Sequence, residues 1–133
     1  WQGDLKTGKG TVSTDSGVLA GTQYSFSTRF ENGKGTNPEE LIAAAHAGCF
    51  TMALSGQLGA ANLVADQLAT TATVTMEKLD AGWTVTGIHL DVKGKVPNAD
   101  AAAWDKATTA AKTGCPISRL LNTTITMDAK LER

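Results

Sequence analysis

Between Leu41 and Leu58 the chain is almost wholly apolar or small, and the run ends near Gly59. Ahead of it stands Thr36-Asn37-Pro38-Glu39-Glu40. Asn37 suits a helix N-cap, Pro38 the first helical position, and Glu40 can reach back as the third residue of a capping box. The combination predicts one long central helix. A helix apolar all round must be buried on every side, and a chain of 133 residues is too short to wrap it unaided. A second subunit is therefore expected to cover part of it. The longest apolar stretch, Leu41–Leu54, is interrupted by His46 and Thr51 and falls short of a bilayer's thickness. No membrane partner is expected on that ground.

The remaining segments read as strands and two further helical pieces. Gly8, Gly10, Gly17, Gly21, Gly33 and Gly35 punctuate the first third as turns between antiparallel strands would. Tyr24–Phe30 alternates Tyr24, Phe26, Thr28 and Phe30 with Ser25, Ser27 and Arg29, which predicts a strand with Arg29 opposite the phenylalanines. Thr71–Leu79 alternates again, and Asp80-Ala81-Gly82 reads as a hairpin turn into Trp83–Lys95. The apolar register of that second strand shifts at Gly87, which predicts a bulge. Asn98 or Asp100 caps a helix over Ala101–Thr113 that Gly114 ends. Cys115-Pro116 opens a short helical segment, and Thr123–Leu131 closes as a strand. Strands grouped around two main helices, in a length typical of one domain, give an α+β class and a single domain over 1–133.

Composition narrows the function classes. Lys+Arg 12 against Asp+Glu 13 leaves a net charge of -1, so the basic face that nucleic acid needs is missing. Aromatic residues at 5% leave little for base stacking. No P-loop, G-x-S-x-G elbow, dinucleotide fingerprint or complete zinc-ligand cluster is present. Two cysteines, Cys49 and Cys115, do not make a disulfide-rich secreted scaffold, and a cytoplasmic location is expected.

The thiols carry the chemistry. Cys49 lies inside the long helix, where it is either a small packing residue or a thiol needing a cation beside it to ionise. Arg29 is the best candidate for that cation. Cys115 stands before Pro116 at a helix start, where free N–H groups favour a thiolate; a small residue in a tight turn is the alternative. A disulfide between the two would restrict the unfolded chain by roughly 4 kcal/mol, and a catalytic pair could form and break it. Glu39 and Glu40 are accounted for by the positive helix N-terminus. Glu39 precedes Cys49 by about 15 Å of straight helix, so it could meet a Cys49 only across an antiparallel dimer. His46 reads as a core or interface histidine, and His89 as one on a wet strand face with Asp91 and Lys93.

Thr36-Asn37-Pro38-Glu39-Glu40-Leu41, Ala44-Ala45-His46-Ala47-Gly48-Cys49-Phe50 and Gly114-Cys115-Pro116-Ile117-Ser118 together resemble the OsmC/Ohr family, peroxidases named for osmotically inducible protein C and organic hydroperoxide resistance. Gly8-Lys9-Gly10-Thr11-Val12-Ser13-Thr14, with Ser16-Gly17-Val18-Leu19 and Thr28-Arg29-Phe30, and His46 in its Ala-His-Ala setting are similar to the OsmC branch. The resemblance implies an intertwined homodimer in which antiparallel sheets wrap the long helices, with active sites at the subunit interface. It implies Cys49 as peroxidatic and Cys115 as resolving cysteine, Glu39 as the glutamate paired with the active-site arginine, and Arg29 as that arginine, with Lys6 or Lys9 as substitutes. It further implies reduction of organic hydroperoxides, and less well of hydrogen peroxide, with an external dithiol as reductant and no metal or other cofactor. A thiol–disulfide exchanger and a non-catalytic binding dimer are the competing readings.

Overall fold

The computed structural model describes residues 1–133, which divide into two compact units, Trp1–Leu41 and Ile42–Arg133. In the first unit, β1 (Gly10–Val12) pairs antiparallel with β2 (Thr22–Tyr24). A five-residue helix, α1 (Phe26–Phe30), follows. The strand expected over Tyr24–Phe30 is therefore corrected: it stops at Tyr24. Ser25 and Thr28 explain why, because their hydroxyls and backbone N–H groups bond reciprocally as a capping box, at 2.8 and 3.3 Å. The helical turn also brings Phe26 and Phe30 to a ring separation of 4.8 Å, four residues apart on one face.

The long helix α2 (Pro38–Ala60) starts where expected. Asn37 Oδ1 accepts from the Glu40 N–H at 2.8 Å, which satisfies one of the orphan donors of the first turn. The Glu40 carboxylate does not close the expected box; it accepts from the Thr36 hydroxyl at 2.7 Å. Asn37 also donates to the Thr28 carbonyl, tying the cap to α1.

In the second unit, β3 (Gln67–Leu79) and β4 (Gly82–Lys95) form an antiparallel hairpin. Gly82 ends its turn at φ +114°, a conformation that side chains with a Cβ rarely adopt. Thr75 pairs with Gly87 and Met76 with Val85, so Thr86 bulges out beside Gly87, where the register shift was expected. From β4 the chain crosses through α3 (Ala101–Gly114), capped by Asp100, and α4 (Pro116–Leu120) to β5 (Thr124–Glu132). The α+β class holds, but the sheet is mixed and not antiparallel throughout: β5 lies parallel to β4. A parallel neighbour requires a crossover connection, and α3 with α4 supplies it.

The core of this unit lies between sheet and helices. Ile88, Leu90 and Val92 alternate inward along β4 and meet Phe50, Leu54 and Leu58 of α2 and Trp104, Ala107 and Ala111 of α3. His46, Phe50, Leu54 and Leu58 form one stripe at four-residue spacing, and these are the buried residues of α2. The expectation of burial on every side is thus not met within one chain, since Met52 is 80% exposed. The helix, at 23 residues, is also longer than the apolar stretch weighed in the sequence, and by length and composition it is sufficient to cross a membrane.

Gly94 on β4 is required by close approach. A Cβ there would overlap the ring of Trp104, which is 2% exposed and donates through Nε1 to the Ala129 carbonyl at 3.3 Å. The ring has no free direction in which to retreat. Gly94→Ala is expected to destabilise the protein by about 1–3 kcal/mol through overpacking, read as a lower urea midpoint with an unchanged slope.

Candidate active site

Cys49 sits in the middle of α2 and Cys115 at the N-cap of α4. Both are free cysteines, and their sulfurs are 2.9 Å apart in a thiol–thiol hydrogen bond. Cys115 is fully buried, whereas Cys49 is partly accessible. A small backbone feature places Cys115. Its N–H closes the last turn of α3 on the Ala111 carbonyl, and its own carbonyl accepts from the Arg119 N–H of α4. One residue thus serves as C-cap of one helix and N-cap of the next, which turns its side chain toward α2.

The two thiols do not ionise alike. Burial pushes the Cys49 thiol up, the hydrogen bond shared with Cys115 raises it further, and the Ile117 N–H only partly offsets this. Burial also works to raise Cys115. It is outweighed by the bond with Cys49, the N–H and hydroxyl of Ser118 and the Ile117 N–H, so that this thiol lies below its ordinary value. The α4 donors do not form an ordinary side-chain cap bond to the sulfur; they act on it as nearby dipoles, as an N-terminus does on any anion. Within the second unit the negative charge is thus better placed on Cys115 than on Cys49.

A second contact between the same two elements lies beside the sulfurs. His46 Nε2 and Ser118 Oγ are 2.7 Å apart, and the imidazole is completely buried. His46 stands three residues before Cys49 and Ser118 three after Cys115, so each pair of helix neighbours meets the other as parallel rungs. Burial holds the His46 imidazole below its ordinary pKa, and its Nδ1 has no hydrogen-bond partner. His46 was expected to be a core or interface histidine, and it is buried with a specific partner. Ser118 carried no expectation of its own: its partner is 72 positions away, and only its place in the Gly114–Ser118 motif marked it.

Arg29 and Glu39 belong to the first unit. Arg29 Nε reaches both carboxylate oxygens of Glu39 at 3.1 Å, and Nη2 reaches Oε1 at 2.6 Å. Such a fork fixes the plane of the guanidinium as well as its charge. The cation that meets Glu39 is Arg29, not Lys6 or Lys9. Arg29 leaves α1, not the expected strand, and its guanidinium carbon lies 5.4 Å from the centre of the Phe30 ring. With Trp1, Leu5, Tyr24, Phe26 and Phe30 it lines an apolar cavity. His89 bonds Thr126 at 2.7 Å and meets Asp128 at 3.3 Å on the exposed face of the sheet. No group of three or more His, Cys, Asp or Glu side chains is disposed to hold a metal ion.

Comparison with known proteins places the chain among relatives. The family model described as OsmC-like protein matches residues 31–130. Peroxiredoxin OsmC of Escherichia coli is 53% identical over 132 residues, covering 99% of this chain and 92% of the relative, and the Shigella flexneri protein of the same name matches equally. Among solved structures, the organic hydroperoxide resistance protein OhrB of Bacillus subtilis superposes with a TM-score of 0.74 at 25% identity, covering 98% of this chain and 93% of that one. An OsmC-like protein of Vibrio cholerae superposes at 0.75 with 17% identity, over 90% and 82% of the two chains. With its two thiols in contact and its family model matched over most of its length, the chain belongs to the OsmC family.

Proposed function

We propose that this protein reduces organic hydroperoxides to alcohols, using Cys49 as the attacking thiol and Cys115 as the thiol that resolves it. Its 53% identity to Peroxiredoxin OsmC makes it a cysteine-based peroxidase, and the contact of two free sulfurs at 2.9 Å carries the finer reading. Cys49 is the more accessible thiol and so the one a substrate reaches. Its thiolate attacks the outer peroxide oxygen, the O–O bond breaks, and the departing alkoxide takes a proton to become the alcohol. Cys49 is left as a sulfenic acid. The Cys115 thiolate then attacks the Cys49 sulfur, hydroxide leaves and is protonated to water, and the disulfide remains. An external dithiol restores both thiols by exchange.

Cys49 needs a cation, because its surroundings in the second unit hold its thiol up. In this reading Arg29 supplies the charge, oriented by its fork on Glu39, and the active site is completed across a homodimer interface. The dimer is supported by α2, whose single buried stripe leaves Met52 uncovered. The apolar surroundings favour organic hydroperoxides over hydrogen peroxide. The whole chain acts as one OsmC-like domain in the cytoplasm, with no cofactor taking part.

Adding cumene hydroperoxide to reduced protein is expected to consume both thiols; an unchanged two-thiol titre would overturn the peroxidase reading. Cys49→Ser is expected to abolish turnover. Cys115→Ser should leave a sulfenic acid that dimedone traps, and full activity in both variants would refute these roles. In sedimentation velocity the protein is expected to run as a dimer. Met52→Lys, which places a charge on the uncovered side of α2, should shift it toward monomer.

A further inference from the structure

We propose that His46 and Ser118 form a positioning pair that holds Cys115 against Cys49 and keeps it ready to attack, so that they set the rate of the resolving step. The inference rests on the peroxidase reading above but concerns residues to which that reading gives no part. Its basis is the double contact between α2 and α4: Cys49 with Cys115 at 2.9 Å and His46 with Ser118 at 2.7 Å. α4 is only five residues long, too short to hold its own direction. It is attached to α2 through these side chains. The resolving sulfur must stay within bonding reach while Cys49 changes from thiol to sulfenic acid, and the first rung is altered by that reaction. The His46–Ser118 rung is untouched by it and keeps α4 in register.

The same pair orients a proton. If Nε2 carries the imidazole hydrogen, it donates to Ser118 Oγ, and the serine hydroxyl is free to turn its own hydrogen toward Cys115. Ser118 is among the groups that lower the Cys115 thiol. This tautomer leaves Nδ1 as a bare acceptor, which accords with its having no partner in a fully buried place; the other tautomer would strand an N–H there. Burial keeps His46 neutral, so it acts by donation and not by carrying charge. The balance of the step is unchanged: the S–S bond forms, the S–O bond of the sulfenic acid breaks, and the hydroxide takes up the proton released by Cys115. The titratable neighbours of Cys115 are the Cys49 thiol and, through Ser118, His46, both on α2. The last turns of α3 and α4 carry Lys112 and Arg119, which stay the same in every variant below.

Two measurements test the pair, the first without peroxide. In the Cys49→Ser background, Cys115 is titrated by the ultraviolet absorbance of its thiolate. Adding Ser118→Ala is expected to raise the midpoint by about one unit, the size of a lost hydrogen bond to a charged group, and Ser118→Thr should restore it. In the otherwise unchanged chain, stopped-flow mixing with cumene hydroperoxide should show Ser118→Ala forming its sulfenic acid at the native rate and its disulfide on the order of tenfold more slowly. His46→Gln, whose amide can still donate, should slow the disulfide less than His46→Phe. An unmoved midpoint, or native disulfide formation in folded Ser118→Ala, would overturn the proposal. Failure of the peroxidase reading is distinct, since no thiol would then be lost to hydroperoxide whatever the titration showed.

Discussion

Two thiols are useful as a pair only if the elements carrying them are held in register to within an ångström or so, and here that register is fixed by the packing of α2. Its buried stripe of His46, Phe50, Leu54 and Leu58 meets the inward row of β4. The stripe serves two purposes along one line. Its C-terminal members are apolar and bind the helix to the sheet, while His46 at the other end turns the same face into a polar attachment for α4. Cys49, one residue before Phe50, is offset from the stripe just enough to stay partly accessible. Burial that stabilises the fold thus also orients the sulfur.

The electrostatics of the two cysteines are opposed in an informative way. Against burial, the Cys115 thiol is lowered first by the hydrogen bond it shares with Cys49 and then by the Ser118 and Ile117 donors of the helix start that Pro116 has opened. Cys49 lies mid-helix, where α2 itself offers no free backbone donor; burial and the bond with Cys115 raise its thiol, and the Ile117 N–H offsets this only in part. A thiol at a helix start can draw on local backbone donors; one in the middle of an apolar helix needs a charge partner to ionise. In the forked Arg29–Glu39 pair the carboxylate fixes the direction of the guanidinium; the pair as a whole is neutral, so only the guanidinium's own side can favour an anion.

The long helix was legible in the sequence because its signals are local: Asn37, Pro38 and the apolar run act within a few residues of each other. The bulge at Thr86 was legible for the same reason, through the register change at Gly87. The segment after Tyr24 misled because alternation of Phe26, Thr28 and Phe30 fits a strand, while the Ser25–Thr28 box that decides the matter occupies the same few positions. The parallel pairing of β5 had no local signature, since it depends on how the α3–α4 crossover docks. His46 was weighed in the sequence and Ser118 appeared only as part of the Gly114–Ser118 motif; their bond spans 72 positions and emerges only when α4 packs on α2. Of the site, the two cysteines could be picked out from chemistry alone, whereas the pairing of Arg29 with Glu39 followed from resemblance before its geometry was known.

The crossover between β4 and β5 has a consequence for assembly. Because Cys115 lies within that connection, it arrives at Cys49 only after α3 has docked and the chain has turned back toward the sheet. Contacts of such long sequence separation form late, after the entropy of closing the intervening loop has been overcome. The fixed 2.9 Å contact of the two sulfurs is therefore a product of tertiary structure, and a chain in which α3 has not docked lacks it.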